Sequence, residues 1–238
     1  MKKLCLAGIL FSCSIVAFSQ KKKTVIEGKA LYFGGSYSNP IRAEFDKYMA
    51  VLSDSLKFTN PLLIKKNFGI QGGLIIRNGK GEFEAGGSYS FGISAKMSNA
   101  NNTSTATLST NSFDIHFGYS QYIAGPLFIG FDIGVLSNDG KFTVAGNNAT
   151  FLEPTPESHN PFKGYVFFAR PKGGFFFPFK KDALSGFKLT AFYDMSISKY
   201  DFYNKDIFQN RIKNYKGETK SSFKALGVQA TISFAMDN

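Results

Sequence analysis

Three residues in the middle of the chain have side chains of the types that nucleophilic catalysis uses: Asp114, His116 and Ser120. In a hydrolase triad the histidine takes the proton of a serine nucleophile and the acid orients the histidine, so the three side chains converge on one point. Even spacing in an alternating segment instead puts all three in a row along one face. We therefore predict a hydrogen-bonded His116 and no catalytic residue. No cofactor or metal motif accompanies these residues, and none is predicted.

Charged residues of both signs recur in such alternating segments, opposite the large apolar side chains. Arg77 and Glu82 belong to this set. The other members form our predicted network: Glu84, Asp114, His116, Asp132, Arg170, Lys172, Lys188 and Asp194. If closed β-structure encloses them they must pair, because an isolated buried charge is costly to desolvate. We predict a salt-bridged network that fills the interior; a gate that rearranges to pass small solutes is the alternative.

The segment around which the chain is organised is Phe68–Lys96, which has the pattern of a β-hairpin. Two runs of alternating apolar and small or polar residues flank the glycine-bearing turn Asn78–Gly81. Each run alternates for about ten residues, the length of a tilted transmembrane β-strand. No later segment has the roughly 18 consecutive apolar residues of a transmembrane helix. The pattern therefore predicts strands that cross a membrane.

Eight such strands fit between residue 20 and the end of the chain. Two form the hairpin, and the others are Gly28–Tyr37, Leu108–Gln121, Leu127–Leu136, Lys163–Phe177, Gly186–Ser198 and Ser222–Phe234. The short connections are Asn78–Gly81, Tyr122–Pro126 and Pro178–Ser185. The long connections are Ser38–Asn67, Ser98–Thr107, Phe142–Phe162 and Lys199–Ser221. Short periplasmic turns and longer extracellular loops are typical of outer-membrane proteins. We predict an all-β fold, an eight-stranded antiparallel up-and-down transmembrane β-barrel.

The composition of the two faces decides which one meets lipid. In the fifth strand, Phe131 and Ile133 alternate with Asp132 and Gly134. The polar face is mostly Gly, Ser and Thr, and is poor in the Lys and Glu of a solvated exterior. The apolar face carries too much volume for a narrow lumen. We predict that the apolar face meets lipid; a lipocalin-like soluble barrel with the faces reversed is the alternative.

The first 19 residues have the features of a secretory signal peptide. Lys2 and Lys3 precede the apolar run Leu4–Phe18, which ends in a small-x-small cleavage site at Ser19. We predict cleavage after Ser19, which leaves residues 20–238 as the barrel domain. Lipidation of Cys13 is the alternative.

Removal of this segment changes both the cysteine content and the charge. Cys5 and Cys13 are the only cysteines, so the mature chain cannot form disulfides or thiolate metal sites. The chain has 28 Lys and Arg against 17 Asp and Glu, and removing Lys2 and Lys3 leaves 26 against 17, a net charge of +9. The basic residues are dispersed, which argues against nucleic acid as a partner. In an exported protein this excess favours anionic lipid head groups and lipopolysaccharide.

The first long loop contains a candidate helix over residues 41–52. Its apolar residues recur at helical spacing: Ile41, Phe45, Tyr48, Met49 and Leu52. Asn39 and Pro40 suit the start of a helix. The pattern predicts a short amphipathic helix, which either caps the barrel mouth, lies on the outer leaflet, binds a partner, or packs in the loop without a further role.

The run GKALYFGGSYS, the repeated glycine-containing hairpins and a last strand that ends near Phe234 resemble the porin-like outer-membrane β-barrels, the small OmpA-type family. The resemblance covers the mature chain. It implies a place in a Gram-negative outer membrane and insertion by the barrel-assembly machinery, which reads a C-terminal aromatic residue. Here Ala235–Asn238 follow Phe234, a small departure from that pattern.

The function expected from these features is that of a structural or porin-like integral outer-membrane protein with a charged lumen. A surface binding or adhesion barrel, which acts through its extracellular loops on an unidentified partner, is the first alternative. A lipid A-modifying barrel enzyme is the second.

Overall fold

The computed structural model describes residues 26–55, 63–98, 104–146, 165–180, 184–201, 217–218 and 220–236. The predicted signal peptide lies outside these ranges. In chain order the elements are β1 (Ile26–Ile41), α1 (Ala43–Ser55), β2 (Asn67–Gly79), β3 (Gly81–Gly92), β4 (Ala95–Ser98), β5 (Ser104–Ala124), β6 (Leu127–Gly146), β7 (Tyr165–Pro178), β8 (Gly186–Ser196), β9 (Tyr200–Asp201), β10 (Lys220–Ser221) and β11 (Lys224–Ala235).

Eight of the strands form a closed ring. Around the ring the order is β1, β2, β3, β5, β6, β7, β8 and β11, every neighbouring pair is antiparallel, and β1 pairs with β11 to close it. Closure leaves no unpaired edge, which is what the interior of a lipid bilayer requires of a β-sheet. The predicted eight-stranded antiparallel up-and-down barrel is confirmed.

The alternation along each strand determines which side chains face out. Phe131 and Ile133 are 46% and 54% exposed, while Asp132 between them is 2% exposed. The same alternation of exposed apolar and buried polar residues runs through β2, β3, β8 and β11. The predicted faces are therefore confirmed, and the barrel is apolar outside and polar inside.

Several predicted strand ends are wrong, and the largest errors lie toward the long loops. The fourth strand was predicted as Leu108–Gln121 and the fifth as Leu127–Leu136, but β5 and β6 extend to pair Ser104 with Gly146. Their outward residues in this extension are small, polar or charged, so the apolar alternation by which a membrane strand is recognised is absent although the backbone pairing continues. The predicted third strand is also interrupted, because it breaks after Gly92 and resumes as β4.

The short turns close one end of the barrel. Asn78 pairs with Gly81, and Gly79 between them has a φ of 61°, the left-handed conformation that a two-residue hairpin turn requires. Gly125 has a φ of 51° in the turn between β5 and β6. The third short connection carries the buried side chain of Leu184. We refer to this end as the short-turn end and to the other as the long-loop end.

The predicted helix is confirmed as α1, which starts two residues later than predicted. Ile41, predicted to be helical, is instead the last residue of β1, and the side chain of Leu52 lies outside the described set. Phe45, Tyr48 and Met49 are buried in an apolar core at the long-loop end, formed with inward residues of the strands such as Leu108. No helix among the described residues is long and apolar enough to cross a membrane.

Candidate functional site: a charged plug inside the barrel

The inward positions of six strands carry a set of buried charges. Every one of the ten residues that parity placed on the inner face is buried: Arg77, Glu82, Glu84, Asp114, His116, Asp132, Arg170, Lys172, Lys188 and Asp194. They lie in β2, β3, β5, β6, β7 and β8, at the level of the outward apolar residues. We call this set the charged plug.

Nearest the short-turn end, the plug is built around Glu82. Its carboxylate accepts hydrogen bonds from Arg77, from Lys188 Nζ at 2.5 Å and from Tyr122 Oη at 2.8 Å. The Arg77 guanidinium carbon lies 4.3 Å and 4.4 Å from the ring centroids of Tyr122 and Phe176. Stacked guanidinium and aromatic rings attract each other, most strongly where water is excluded. These contacts fix the first layer of the plug.

The middle of the plug is held by Lys172. Its Nζ lies 2.7 Å from Glu84 Oε2 and 2.6 Å from Asp132 Oδ1. Glu84 Oε2 is also 3.7 Å from Lys188 Nζ, which joins this layer to the first. The lysine ammonium has three donors and is matched here by carboxylates from two different strands, β3 and β6.

Toward the long-loop end, Asp114 and Arg170 carry the network onward. Asp114 Oδ1 lies 2.6 Å from His116 Nδ1, while its Oδ2 accepts a hydrogen bond from Ser88 and lies 3.6 Å from Arg170 Nη2. Arg170 Nε donates to Asp194 Oδ1 at 2.5 Å. Asp114, His116, Arg170 and Asp194 form the last layer of the plug. Through the contact between His116 and Glu84, the ten charges form one continuous network, from Arg77 to Asp194.

His116 links the last layer to the middle one. Its Nε2 lies 3.5 Å from Glu84 Oε1 and 3.3 Å from the Tyr32 hydroxyl. This contact needs Gly86, because a Cβ there would lie 3.0 Å from His116 Nε2 and would overlap the Tyr32 hydroxyl. The glycine opens the space in which the imidazole and the phenol meet.

A closed β-ring with a broad apolar outer surface and ten charges inside is the reverse of a water-soluble protein, which buries its apolar side chains. Lipid is the surroundings in which that arrangement is stable. The protein is a transmembrane β-barrel. The apolar residues exposed on its wall include Phe33, Phe83, Phe117, Ile129, Phe131, Ile133, Phe167 and Leu226.

Apolar side chains also pack inside both ends of the barrel. At the short-turn end, Leu184 packs with Ala30, Tyr32 and Ile75, and its carbonyl accepts a hydrogen bond from Ser233 Oγ at 2.6 Å. At the long-loop end, α1 fills the mouth with its apolar face. We call the third short connection, which carries Leu184, the Leu184 turn. The lumen is thus occupied at three levels: the Leu184 turn, the charged plug and α1.

The N-terminus of α1 is fixed to β10 and the residue that follows it. Phe45 N donates to Ser221 Oγ, and Ser222 N donates to Glu44 Oε2, both at 3.3 Å. Burial opposes ionisation of Glu44, but hydrogen bonds that its carboxylate accepts from backbone N–H groups and from the Ser221 hydroxyl outweigh it and lower the pKa of the carboxyl group. Burial raises the pKa of Asp46 and lowers that of Arg42, which precedes the helix.

On the long-loop side of the plug lies a small polar cavity of about 20 Å³, whose wall includes Leu136 and Phe168 of the core that buries α1. Serine, asparagine and glutamine side chains line most of it, with Asp114, Arg170 and Asp194 also in its wall. Two of the lining groups, Asn67 Oδ1 and Gln71 Nε2, are buried without a hydrogen-bond partner among the described residues. A polar cavity of this size has room for water but not for an organic ligand.

The arrangement around His116 differs from a catalytic triad. Ser88 donates to Asp114 rather than to the imidazole, and Ser120 Oγ has no hydrogen-bond partner among the described residues. The ring nitrogen that would accept a proton from a nucleophile faces Tyr32 and Glu84 instead. Nor do the described ranges contain a cluster of three or more His, Cys, Asp or Glu placed to hold a metal ion.

Sequence reasoning missed three polar partners of the plug: Tyr32, Ser88 and Tyr122. Tyr32 alternates with exposed Leu31 and Phe33 in β1, so the parity argument used for the charges would have placed it inside. Ser88 has the same parity as Glu82 and Glu84 in β3. Tyr122 has the same parity as Ser120, but it lies just beyond the predicted end of its strand, next to a register shift between Tyr122 and Ala124.

Comparisons with known proteins return weak structural likenesses alone. No protein-family model matches the chain, and no curated protein sequence matches it. Among solved structures, Ail of Yersinia pestis, in complex with the heparin analogue sucrose octasulfate, is 12% identical with a TM-score of 0.44, covering 87% of this chain and 99% of its own. Neisserial surface protein A is 9% identical with a TM-score of 0.45, covering 87% and 97%. OprG of Pseudomonas aeruginosa is 9% identical with a TM-score of 0.39, covering 91% and 100%.

Proposed function

We propose that this protein is an integral outer-membrane β-barrel of a Gram-negative envelope, closed to solutes, whose role is structural. The observation that carries the proposal is the occupation of the lumen at three levels by the Leu184 turn, the charged plug and α1. In this proposal the N-terminal 19 residues direct export and are cleaved, and the barrel-assembly machinery inserts the remainder. The short-turn end then faces the periplasm and the long-loop end the exterior.

Conductance measurements on the refolded mature barrel in planar bilayers test this proposal. A barrel blocked at three levels is expected to insert without stepwise current. Steady conductance steps from the wild-type protein would contradict a closed structural barrel. Insertion is verified independently by protease protection in vesicles of the same lipid.

The porin-like alternative is favoured by one observation, the polar cavity on the long-loop side of the charged plug. If α1 moved away, that cavity would open to the exterior and leave only the charged plug and the Leu184 turn in the path. Phe45→Asp introduces a charge into the buried face of α1 and should release it. Conductance from Phe45→Asp with a silent wild-type protein would support a gated pore, whereas silence of both supports a closed barrel.

The surface-binding alternative is favoured by the lysines at the long-loop end. Exposed examples are Lys47 on α1, Lys65 and Lys66 before β2, Lys141 in β6 and Lys224 in β11. Dispersed cations beside the membrane suit anionic lipid head groups and lipopolysaccharide. Binding of dextran sulfate that is lost at high salt and weakened by Lys65→Glu with Lys66→Glu, but not by Lys29→Glu at the other end, would support it.

A lipid A-modifying activity is not part of the proposed function. The imidazole points into the barrel and is paired with carboxylates, away from any lipid substrate. Mass analysis of lipid A from cells with and without the protein tests this point. An added or lost acyl chain that depends on the protein would contradict a non-enzymatic role.

A further inference from the structure

The enclosed charges do not balance if His116 is neutral. Among the described inner-face residues there are five carboxylates, on Glu82, Glu84, Asp114, Asp132 and Asp194. The Lys and Arg side chains that face them number four: Arg77, Arg170, Lys172 and Lys188. A neutral imidazole leaves the plug with one unmatched negative charge inside a membrane, whereas an imidazolium makes it neutral.

The contacts of the ring fit the charged form. Nδ1 lies 2.6 Å from one carboxylate, Asp114, and Nε2 lies 3.5 Å from another, Glu84. Neutral imidazole has a single N–H, whereas imidazolium has two, one for each of these acceptors. The Tyr32 hydroxyl, 3.3 Å from Nε2, has its own proton and can serve as acceptor or donor to its neighbours.

Groups from four strands surround the ring. Asp114 comes from β5 itself, Glu84 from β3, Tyr32 from β1 and Arg170 from β7. Arg170 and Lys172 each lie between two carboxylates: Arg170 contacts Asp194 and Asp114, and Lys172 contacts Asp132 and Glu84. These cations are thus shared among the carboxylates, and the four Lys and Arg side chains together leave one of the five negative charges for the ring to match.

We propose that His116 is a proton-binding site whose bound proton supplies the fifth positive charge of the plug, so that the closed barrel is stabilised by protonation. The proposal concerns the plug itself and holds whether or not a solute or a surface partner uses the barrel. It makes the interior of the protein sensitive to external pH through a single residue.

The sign of the pH dependence follows from linkage. In the unfolded chain the imidazole releases its proton near pH 6.5. If the folded barrel retains that proton, folding takes up a proton above this pH, and stability falls as the pH rises. For a barrel of this size one linked proton should lower the unfolding midpoint by about 3 °C per pH unit until the folded-state proton is also lost.

Histidine NMR tests the protonation state directly. His159 is the only other histidine, so a barrel labelled with ¹³C,¹⁵N-histidine and carrying His159→Gln reports on His116 alone. Both ring nitrogens are expected to show imidazolium shifts at pH 7.5 in lipid nanodiscs. A neutral-tautomer spectrum at pH 7.5 would overturn the proposal.

Charge-balance variants test the role in stability by the temperature at which the folded form disappears from SDS gels. His116→Gln should lower this midpoint at pH 6 and abolish its fall between pH 6 and pH 9. Adding Asp114→Asn restores equal numbers of charges and should recover part of the midpoint; adding Lys172→Gln widens the imbalance and should lower it further. If His116 has only a structural role, both double variants should have a lower midpoint than His116→Gln. That result would overturn the proposal.

Discussion

Arg170 illustrates how a membrane barrel can retain a cation in its interior. Its guanidinium carbon lies 4.9 Å from the ring centroids of both Phe168 and Phe192, while Asp194 and Asp114 supply the counter-charge. Burial of such a group is tolerated because its hydrogen bonds and charge are matched in place. We therefore expect the stability of the barrel to fall when one partner of this ion pair is removed alone.

Arg170→Ala should leave Asp194 buried without its cation and destabilise the barrel by about 3–5 kcal/mol. Chemical unfolding of the refolded protein in detergent measures the change. The matched control is Lys199→Ala, which removes the exposed partner of Glu218 (2.6 Å) and should have no measurable effect because water screens such a pair. Equal stability of the two variants would show that the plug does not hold the fold.

Parity predicted which charges are inside but not their partners. Lys188 and Glu82 are 106 positions apart in sequence and Lys172 and Glu84 are 88 apart, so their pairing depends on how the ring closes. Parity also does not indicate how large a side chain each inward position can hold. Polarity alone would allow serine at the inward position 134, but a Cβ at Gly134 would lie 2.8 Å from the Phe168 ring, so that position requires glycine.

At the scale of elements, α1 and the long strands β5 and β6 form a second core outside the charged zone. Helical periodicity was enough to predict α1, but not where it packs. Ala106 and Phe142 line that core from β5 and β6, in strand extensions whose outward residues are polar. A sequence pattern that identifies strands by their lipid-facing side cannot find strands that continue beyond the lipid.

Phe45→Ala should loosen α1 without opening the barrel. Removing a buried phenylalanine side chain costs about 3–5 kcal/mol of packing, and α1 lies outside the hydrogen-bonded strand ring and the charged plug, so the loss should be local. Limited trypsin digestion should cleave faster at Lys47, on the exposed side of α1, while the heat-modifiable gel band persists. Asp54→Ala, at an exposed position of the same helix, is the control; an identical cleavage rate in both variants would contradict the docked helix.

The lipid-facing surface of β6 makes a sharper test of the wall. Phe131→Lys places a charge at the outward apolar face and should cost about 2–4 kcal/mol. Asp132→Lys is not a suitable control, because it would also disturb the charged plug. The matched change is therefore Phe131→Leu, which keeps the apolar character. The yield of folded barrel on refolding into vesicles should fall for lysine and not for leucine. A similar yield for both would mean that Phe131 does not face lipid.

At the scale of the whole molecule, the structure is a barrel with its polar core in the membrane zone and an apolar core at the long-loop end. The ring satisfies its own backbone hydrogen bonds, and the plug and α1 fill its interior. Such a barrel should resist SDS until heated and migrate differently before and after boiling. Identical migration together with a soluble periplasmic location would contradict the architecture.

The central claim is that the apolar face of this ring lies in lipid, and cysteine labelling tests it most directly. Ile133 and Lys141 lie on the same outward face of β6, the first within the apolar band and the second beyond it. With no cysteine in the predicted mature chain, single Ile133→Cys and Lys141→Cys variants in vesicles can be compared cleanly. We expect Lys141→Cys to react with a water-soluble maleimide and Ile133→Cys to react only with a lipid-soluble one. Equal labelling of both from water would place this face in solvent and make the protein a soluble barrel.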